Sequence, residues 1–495
     1  MAGVGFELKK QLIVDDSILN KTNAVTVSAI VTVAPMLLTV IIMLTVQQYM
    51  VWRGAMYESR EKFMLIIYYV FASSFIVSSL ISQPLTRYVS DRIYEQKFDR
   101  ILPSFYGGVL VYFIISTPFS LIFLYFSDLS LDLNLLGIGL KFLIGIVFLQ
   151  MLFLSSIREY KFIVSGFLLA FCITIVSVML FNMLGVEDIT ASLLGVQIGF
   201  VMLGVFFMRC IRRNFSSTGI RYFDFLTTFA DYPQSLFIGL LLSLGAFLHC
   251  IILWTLPGTV VVGGFLRYSS DYDVTTFIAY LTLIPMYIRF TIFTEVHFAE
   301  KHQVFYTLIT KKGKYKNIKA AHKAMKSVLW REIGKLAEVH LFVALSAISL
   351  LLVIVPEAII SPSNASLFRV LVLGYFAYGI MQCIIIMLLY FDDRKGAMFI
   401  ALTFNILTAI LTISLLPLGS SFFGIGFFIS GIISLIIALV RLNNYMKYLE
   451  YFTFCLQPMY VKQQSFFARG IYRTADIMNS LCRTRDDKAI SSEQH

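Results

Sequence analysis

The chain has 495 residues, 58% of them hydrophobic and 14% charged, with a mean hydropathy of +0.81. A soluble domain carries about 45–50% apolar residues, so the composition excludes one and indicates an integral membrane protein. The net charge of +11 and pI near 9.2 would suggest nucleic acid in a soluble protein, but no nucleic-acid module accompanies them.

Twelve apolar spans are predicted, at about 24–47, 63–82, 105–126, 134–155, 162–184, 190–208, 235–256, 274–294, 336–355, 368–390, 397–417 and 422–440. Each can cross about 30 Å of hydrocarbon at about 1.5 Å per residue. Residues 6–13 (FELKKQLI) form a short amphipathic helix before the first span, suited to the inner interface. Glu7, Asp15 and Asp16 argue against a cleavable signal peptide, and Ala2 against N-myristoylation. Pro35 falls mid-span in the first helix, where it removes a hydrogen bond and bends the chain. The second span runs into a basic segment, 83–103, containing Arg87, Asp91 and Arg92.

Ionisable residues within spans are functional candidates because burying them is costly. Lys141 lies in the fourth span, His249 in the seventh and Arg289 in the eighth. The plain alternatives are snorkelling for the two cations and hydrogen-bonded packing for the histidine. Residues 222–230 (YFDFLTTFA) repeat, before span seven, the amphipathic character of 6–13. Pro285 is a second mid-span kink, and Tyr280 and Tyr287 share its span with Arg289, where aromatic rings suit a carbohydrate path. No carboxylate is expected deep in any span; Asp231 and Glu295, at inner span ends, are the nearest.

The following segment, 295–335, holds ten Lys/Arg, with Met325, Leu329, Ile333 and Leu336 at helical spacing. It reads as a basic amphipathic helix, either interfacial or a partner's docking site. In the tail, 445–460 is aromatic-rich and interfacial, and 462–495 is polar and disordered at its end. With alternating sides, the inner segments hold 33 Lys/Arg and the outer loops five, which places both termini in the cytoplasm. The loops suggest two six-helix lobes, 1–208 and 209–440, followed by a tail, 441–495.

No P-loop, zincin, hydrolase or kinase signature is present, and Asp271-Tyr272-Asp273 lies in an outer loop with no metal–nucleotide fold around it. The six cysteines form no CxxC pair. The reading is a non-enzymatic carrier or channel, without cofactor or metal.

Met1–Leu8 (MAGVGFEL), followed by Lys9 and Lys10, resembles the opening of the PelG family of exopolysaccharide transporters, which typically begins MAGIGFELR. Pro35 in VAPMLL is similar to that family's S-G-P-W-like turn, without its Gly and Trp. Thr86-Arg87-Tyr88, Ser90-Asp91-Arg92 and Tyr94 resemble its T-R-x-x-x-D-R motif. Pro285, Phe290, Thr294-Glu295 and Phe298 resemble P-x-x-x-x-F…E-T-x-F, with Glu and Thr reversed, and Phe391-Asp392-Asp393-Arg394 resembles Y-F-D-D-R.

The resemblance implies the MOP (MATE-like) superfamily fold, with two six-helix lobes facing a central cavity. It also implies passage of a growing N-acetylgalactosamine-rich polymer across the cytoplasmic membrane. A cytoplasmic glycosyltransferase and a cyclic-di-GMP-responsive membrane partner would accompany it. On this reading Arg87, Asp91, Arg92 and Glu295 are candidates for docking the synthase, against a plain helix-end ion pair. The alternatives are a lipid-linked-oligosaccharide flippase, a non-transporting scaffold and, more distantly, a cation-driven drug exporter.

Overall fold

Peptide groups in hydrocarbon find no water, so apolar runs of this length close their hydrogen bonds within helices. A computed structural model describes residues 35, 37–157, 160–215, 221–256, 259–354, 362–455 and 469–480. The first 34 residues, including the predicted helix at 6–13, and the terminal 481–495 lie outside the described residues.

In chain order, α1 (Leu37–Trp52) follows Pro35, whose carbonyl accepts a 2.7 Å bond from Thr39 Oγ1. Next come α2 (Tyr57–Tyr94), α3 (Ile101–Phe126), α4 (Leu131–Ile157), α5 (Tyr160–Met183) and α6 (Asp188–Asn214). The short α7 (Leu226–Asp231), α8 (Pro233–Gly245) and α9 (Leu248–Leu253) lead to a hairpin, β1 (Val260–Val262) and β2 (Leu266–Tyr268). Then follow α10 (Ser270–Leu281), α11 (Leu283–Ile292), a π-helical turn Phe293–Phe298, α12 (Ala299–Thr310) and α13 (Tyr315–Ile354). The chain continues through α14 (Pro362–Tyr390), α15 (Arg394–Leu415), α16 (Ile425–Lys447) and α17 (Leu449–Cys455).

Among the described residues, ten helices are long and apolar enough to cross a membrane, and they coincide with predicted spans two to six and eight to twelve. The seventh is not one helix: α8 ends at Gly245 and α9 restarts at Leu248. The eighth is bent between Leu281 and Leu283. Pro285 accounts for this, because its ring clashes with the carbonyl four residues earlier.

The described residues form two compact units. The first contains Pro35–Ser243, Val261–Arg267 and the helix at 469–480. Here α5 and α6 pack with almost no side chain between them. A Cβ on Gly195 would lie 2.3 Å from Val178 Cγ2, and one on Gly199 would lie 2.0 Å from Thr174 Oγ1 and 3.0 Å from the Ala170 carbonyl. Helices gain little from hydrophobic exclusion in lipid, so this small-xxx-small contact, with its close backbone approach, is what binds the pair.

The helix at 469–480 was not foreseen in the polar tail. Asn479 accepts from the Phe223 amide at 3.0 Å and donates to Asp224 at 2.9 Å, while Tyr472 donates to Asp231 at 2.8 Å. Partial desolvation, and after it the Asp231 carboxylate, pushes the Tyr472 phenol up to about 12.

The second unit contains Leu244–Val260 and Tyr268–Gln457. Its central helix is α14, which buries Leu371, Tyr375, Tyr378 and Met381. The basic segment 295–335, read as an amphipathic helix, is a helical hairpin: α12 runs to Thr310, residues 311–314 turn, and α13 begins at Tyr315. Met325, Leu329, Ile333 and Leu336 are its buried face, as the spacing predicts. Further along, His322 and Tyr315 bond to Glu450 of α17 at 3.0 and 3.1 Å. The His322 bond chiefly holds the Glu450 carboxyl below the usual carboxylate range.

Candidate functional site

Each unit encloses a polar centre. In the first, Lys141 on α4 is only 6% exposed. Its Nζ donates to the Ser116 carbonyl at 3.3 Å and to Ser120 Oγ at 3.1 Å, both on α3, and lies 5.9 Å from the Phe119 ring centroid. The Lys141 carbonyl accepts from Ser74 Oγ of α2 at 2.9 Å and from Tyr112 Oη of α3 at 3.0 Å. Gly145 makes room for that tyrosine, since a Cβ there would lie 2.0 Å from Tyr112 Cζ. Three helices are thus pinned around one cation. Among the described residues no carboxylate lies within ion-pair distance of Lys141, and Ser116 Oγ is buried without a partner.

In the second unit, His249 on α9 is fully buried. Its Nδ1 lies 2.7 Å from Tyr272 Oη and its Nε2 3.4 Å from Tyr375 Oη, and its ring packs on Phe427 at 4.3 Å. Tyr280 sets its ring edge-on to Tyr375 at 5.5 Å. Tyr287 Oη donates to Gln382 Oε1 at 2.6 Å, and Gln382 Nε2 donates to Tyr378 Oη at 2.5 Å. Tyr280 and Tyr287, seven residues apart, are both half-buried. The fold therefore gathers His249, Tyr280 and Tyr287 into one network, closed by Tyr272, Tyr375, Tyr378 and Gln382, none of which was singled out from the sequence.

Arg289, on α11, instead pairs with Glu332 of α13. The Glu332 carboxylate, 1% exposed, also lies 3.1 Å from His297 Nδ1 in the π-helical turn and 3.4 Å from Arg331 Nε. Of these two intramembrane cations, Lys141 alone stands without a carboxylate among the described residues.

The proposed docking residues lie on α2. Arg87 pairs with Asp91 at 3.2 Å, one turn away, and its guanidinium lies 5.6 Å from the Tyr232 ring. Arg92 turns to Glu95 at 2.8 Å and to the Tyr88 ring at 5.1 Å. The side chain of Glu295 lies outside the described residues. Asp273 accepts from Trp254 Nε1 and from the Ser269 amide, both at 2.9 Å, which makes it a brace for the start of α10. Among the described residues no three His, Cys, Asp or Glu are placed to hold a metal ion.

The comparisons with known proteins agree with this architecture. The family model for PelG, an exopolysaccharide exporter (EPS-E), matches residues 1–454. The chain belongs to the PelG family. A comparison with curated protein sequences gave no match.

Among solved structures, a MOP superfamily transporter from Pyrococcus furiosus, described as having a binding pocket of reverse polarity, is 13% identical with a TM-score of 0.56. An outward-facing multidrug-resistance MATE transporter is also 13% identical, with a TM-score of 0.57. Both alignments cover 86% of this chain and 96% of the other. At that identity the likeness establishes the fold, and this PelG-family chain is a multi-pass membrane protein of MOP architecture.

Proposed function

We propose that this PelG-family protein moves a growing exopolysaccharide, N-acetylgalactosamine-rich as in the Pel system, across the cytoplasmic membrane. A cytoplasmic glycosyltransferase extends the polymer, and a cyclic-di-GMP-responsive membrane protein governs the assembly. Both termini lie in the cytoplasm, and the chain is organised as two six-helix lobes with a tail. The family match over 454 residues is the observation that carries this reading.

In this proposal Lys141, His249, Tyr280, Tyr287 and Arg289 border the substrate's route. Pro35 and Pro285 supply bends for gating, and Arg87, Asp91, Arg92 and Glu295 meet the synthase. Tyr280 and Tyr287 support a sugar path, since each combines a half-buried ring with a hydroxyl. In this reading the protein acts as a carrier and not as an enzyme, which the family match supports.

The second reading, a flippase for a lipid-linked oligosaccharide, requires cations for a pyrophosphate. With Arg289 engaged by Glu332, that requirement falls on Lys141. Lys141→Met removes the charge and keeps an unbranched chain of similar length. Polymer secretion is expected to stay within about twofold of wild type, with stability unchanged or raised, because removing an uncompensated buried charge relieves a desolvation penalty. Secretion assayed in a strain carrying only this variant checks it. Loss of secretion with normal protein levels would favour the flippase.

A further inference from the structure

The hairpin of α12 and α13 presents a charge pattern that neither membrane insertion nor transport fully accounts for. Its two arms run antiparallel, with His297 within 3.1 Å of Glu332 near the base and Phe305 5.8 Å from His322 further out. Phe305, Ile318, Met325 and Leu329 are buried between the arms and their neighbours. The apolar part of α13 begins near Leu336, and the helix runs unbroken from Tyr315. At about 1.5 Å per residue, about 30 Å of helix lies beyond the apolar stretch. An average tilt of about 20° shortens that height by only about 2 Å.

Six lysines crowd the outer end: Lys311, Lys312, Lys314, Lys316, Lys319 and Lys323, all exposed. Lys312 turns the chain in a left-handed conformation, φ 52°. None of the six makes an ion pair among the described residues, and the sequence from Lys301 to Arg331 contains no Asp or Glu. A merely solvated helix of this length would gain from Glu–Lys pairs one turn apart.

Of two ordinary explanations, one fails on distance and the other is incomplete. Headgroup charge is screened over about 8 Å at physiological ionic strength, far less than the height of the tip. The insertion bias counts basic residues in short loops near span ends, and all six lie within about 20 residues of the end of span eight or the start of span nine, so it accounts for cations here but not for the absence of Asp and Glu among them. Arg331 and Lys335, near the base, satisfy both explanations; the acid-free tip is beyond the first and only partly met by the second.

We propose that the tip of the α12–α13 hairpin is a docking surface for an acidic protein face, on the side of the membrane where Lys and Arg concentrate. These six charges, of which among the described residues only Lys319 feels a nearby carboxylate, that of Glu450, find their counter-charge there, on a partner held about 30 Å from the bilayer. The inference does not depend on which substrate the transporter carries.

Amine acetylation, read residue by residue, tests it on full-length protein in inverted membrane vesicles from polymer-producing cells. The same protein purified into nanodiscs of lipids from those membranes provides the comparison. The six lysines are expected to label severalfold more slowly in the vesicles than in nanodiscs. High salt should abolish the protection and nuclease should leave it intact. Equal labelling in both would overturn the proposal. So would protection that persists in nanodiscs, which assigns the tip to lipid, or protection lost to nuclease, which assigns it to nucleic acid. As a second measurement, wild type extracted in mild detergent should sediment as a larger species than a variant with all six lysines changed to glutamate. Identical sedimentation of the two, at equal expression, would equally overturn it.

Discussion

Arg289→Ala is expected to destabilise the protein by about 3–5 kcal/mol, the cost of leaving a buried charge without its partner. Glu332 is 1% exposed and cannot turn to water when Arg289 is removed. His297, 40% exposed, Arg331, 57% exposed, and Lys335, 52% exposed, stay within 4.0 Å of Glu332 and hold the loss to the lower end of that range. Glu332→Ala should cost less, because Arg289 is 18% exposed and its long stem can carry the charge toward the interface. Arg289→Met combined with Glu332→Leu should recover most of the loss, since apolar packing of similar volume replaces such pairs at little cost. Thermal unfolding in detergent, run as a double-mutant cycle, checks all three. Near-equal stabilities of wild type and Arg289→Ala would mean that the pair does not hold α11 to α13.

The second large effect concerns the first unit. Gly199→Ala should destabilise at or beyond the upper end of the about 1–3 kcal/mol typical of overpacking. The added carbon would lie 2.0 Å from Thr174 Oγ1 and 3.0 Å from the Ala170 carbonyl, and the latter is backbone and cannot swing away. Adding Thr174→Ala removes the nearer obstacle and should restore part of the loss. A Gly199→Ala protein as stable as wild type would show that α5 and α6 do not approach as closely as described.

The spans were legible in the sequence because apolar length is a one-dimensional property, read directly against the thickness of hydrocarbon. The bend near Thr282 was legible for the same reason, since Pro285 acts on its own helix. Glu332 was missed even though 295–335 was read as an amphipathic helix, because only the apolar residues Met325, Leu329, Ile333 and Leu336 were placed on its buried face and the carboxylate beside them was not. Lys141 could be named, but its surroundings could not. Ser74 and Tyr112 bind its backbone carbonyl, and only tertiary packing brings a carbonyl and a distant hydroxyl together. The same holds for His249, whose partners Tyr272 and Tyr375 lie 23 and 126 residues away in the chain. The helix at 469–480 was missed although Ile471, Ala475 and Met478 recur at helical spacing on the face that is turned inward, because the charges around them led the segment to be read as polar tail.

The exporter reading is tested most directly by deleting the gene while keeping the glycosyltransferase, then measuring secreted polymer against polymer retained in the cells. The account predicts that secretion is lost and that polymer or its precursor accumulates inside. Undiminished secretion would contradict it. So would accumulation of a lipid-extractable oligosaccharide, which indicates a flippase, or disappearance of the synthase from the membrane without trapped product, which indicates a scaffold.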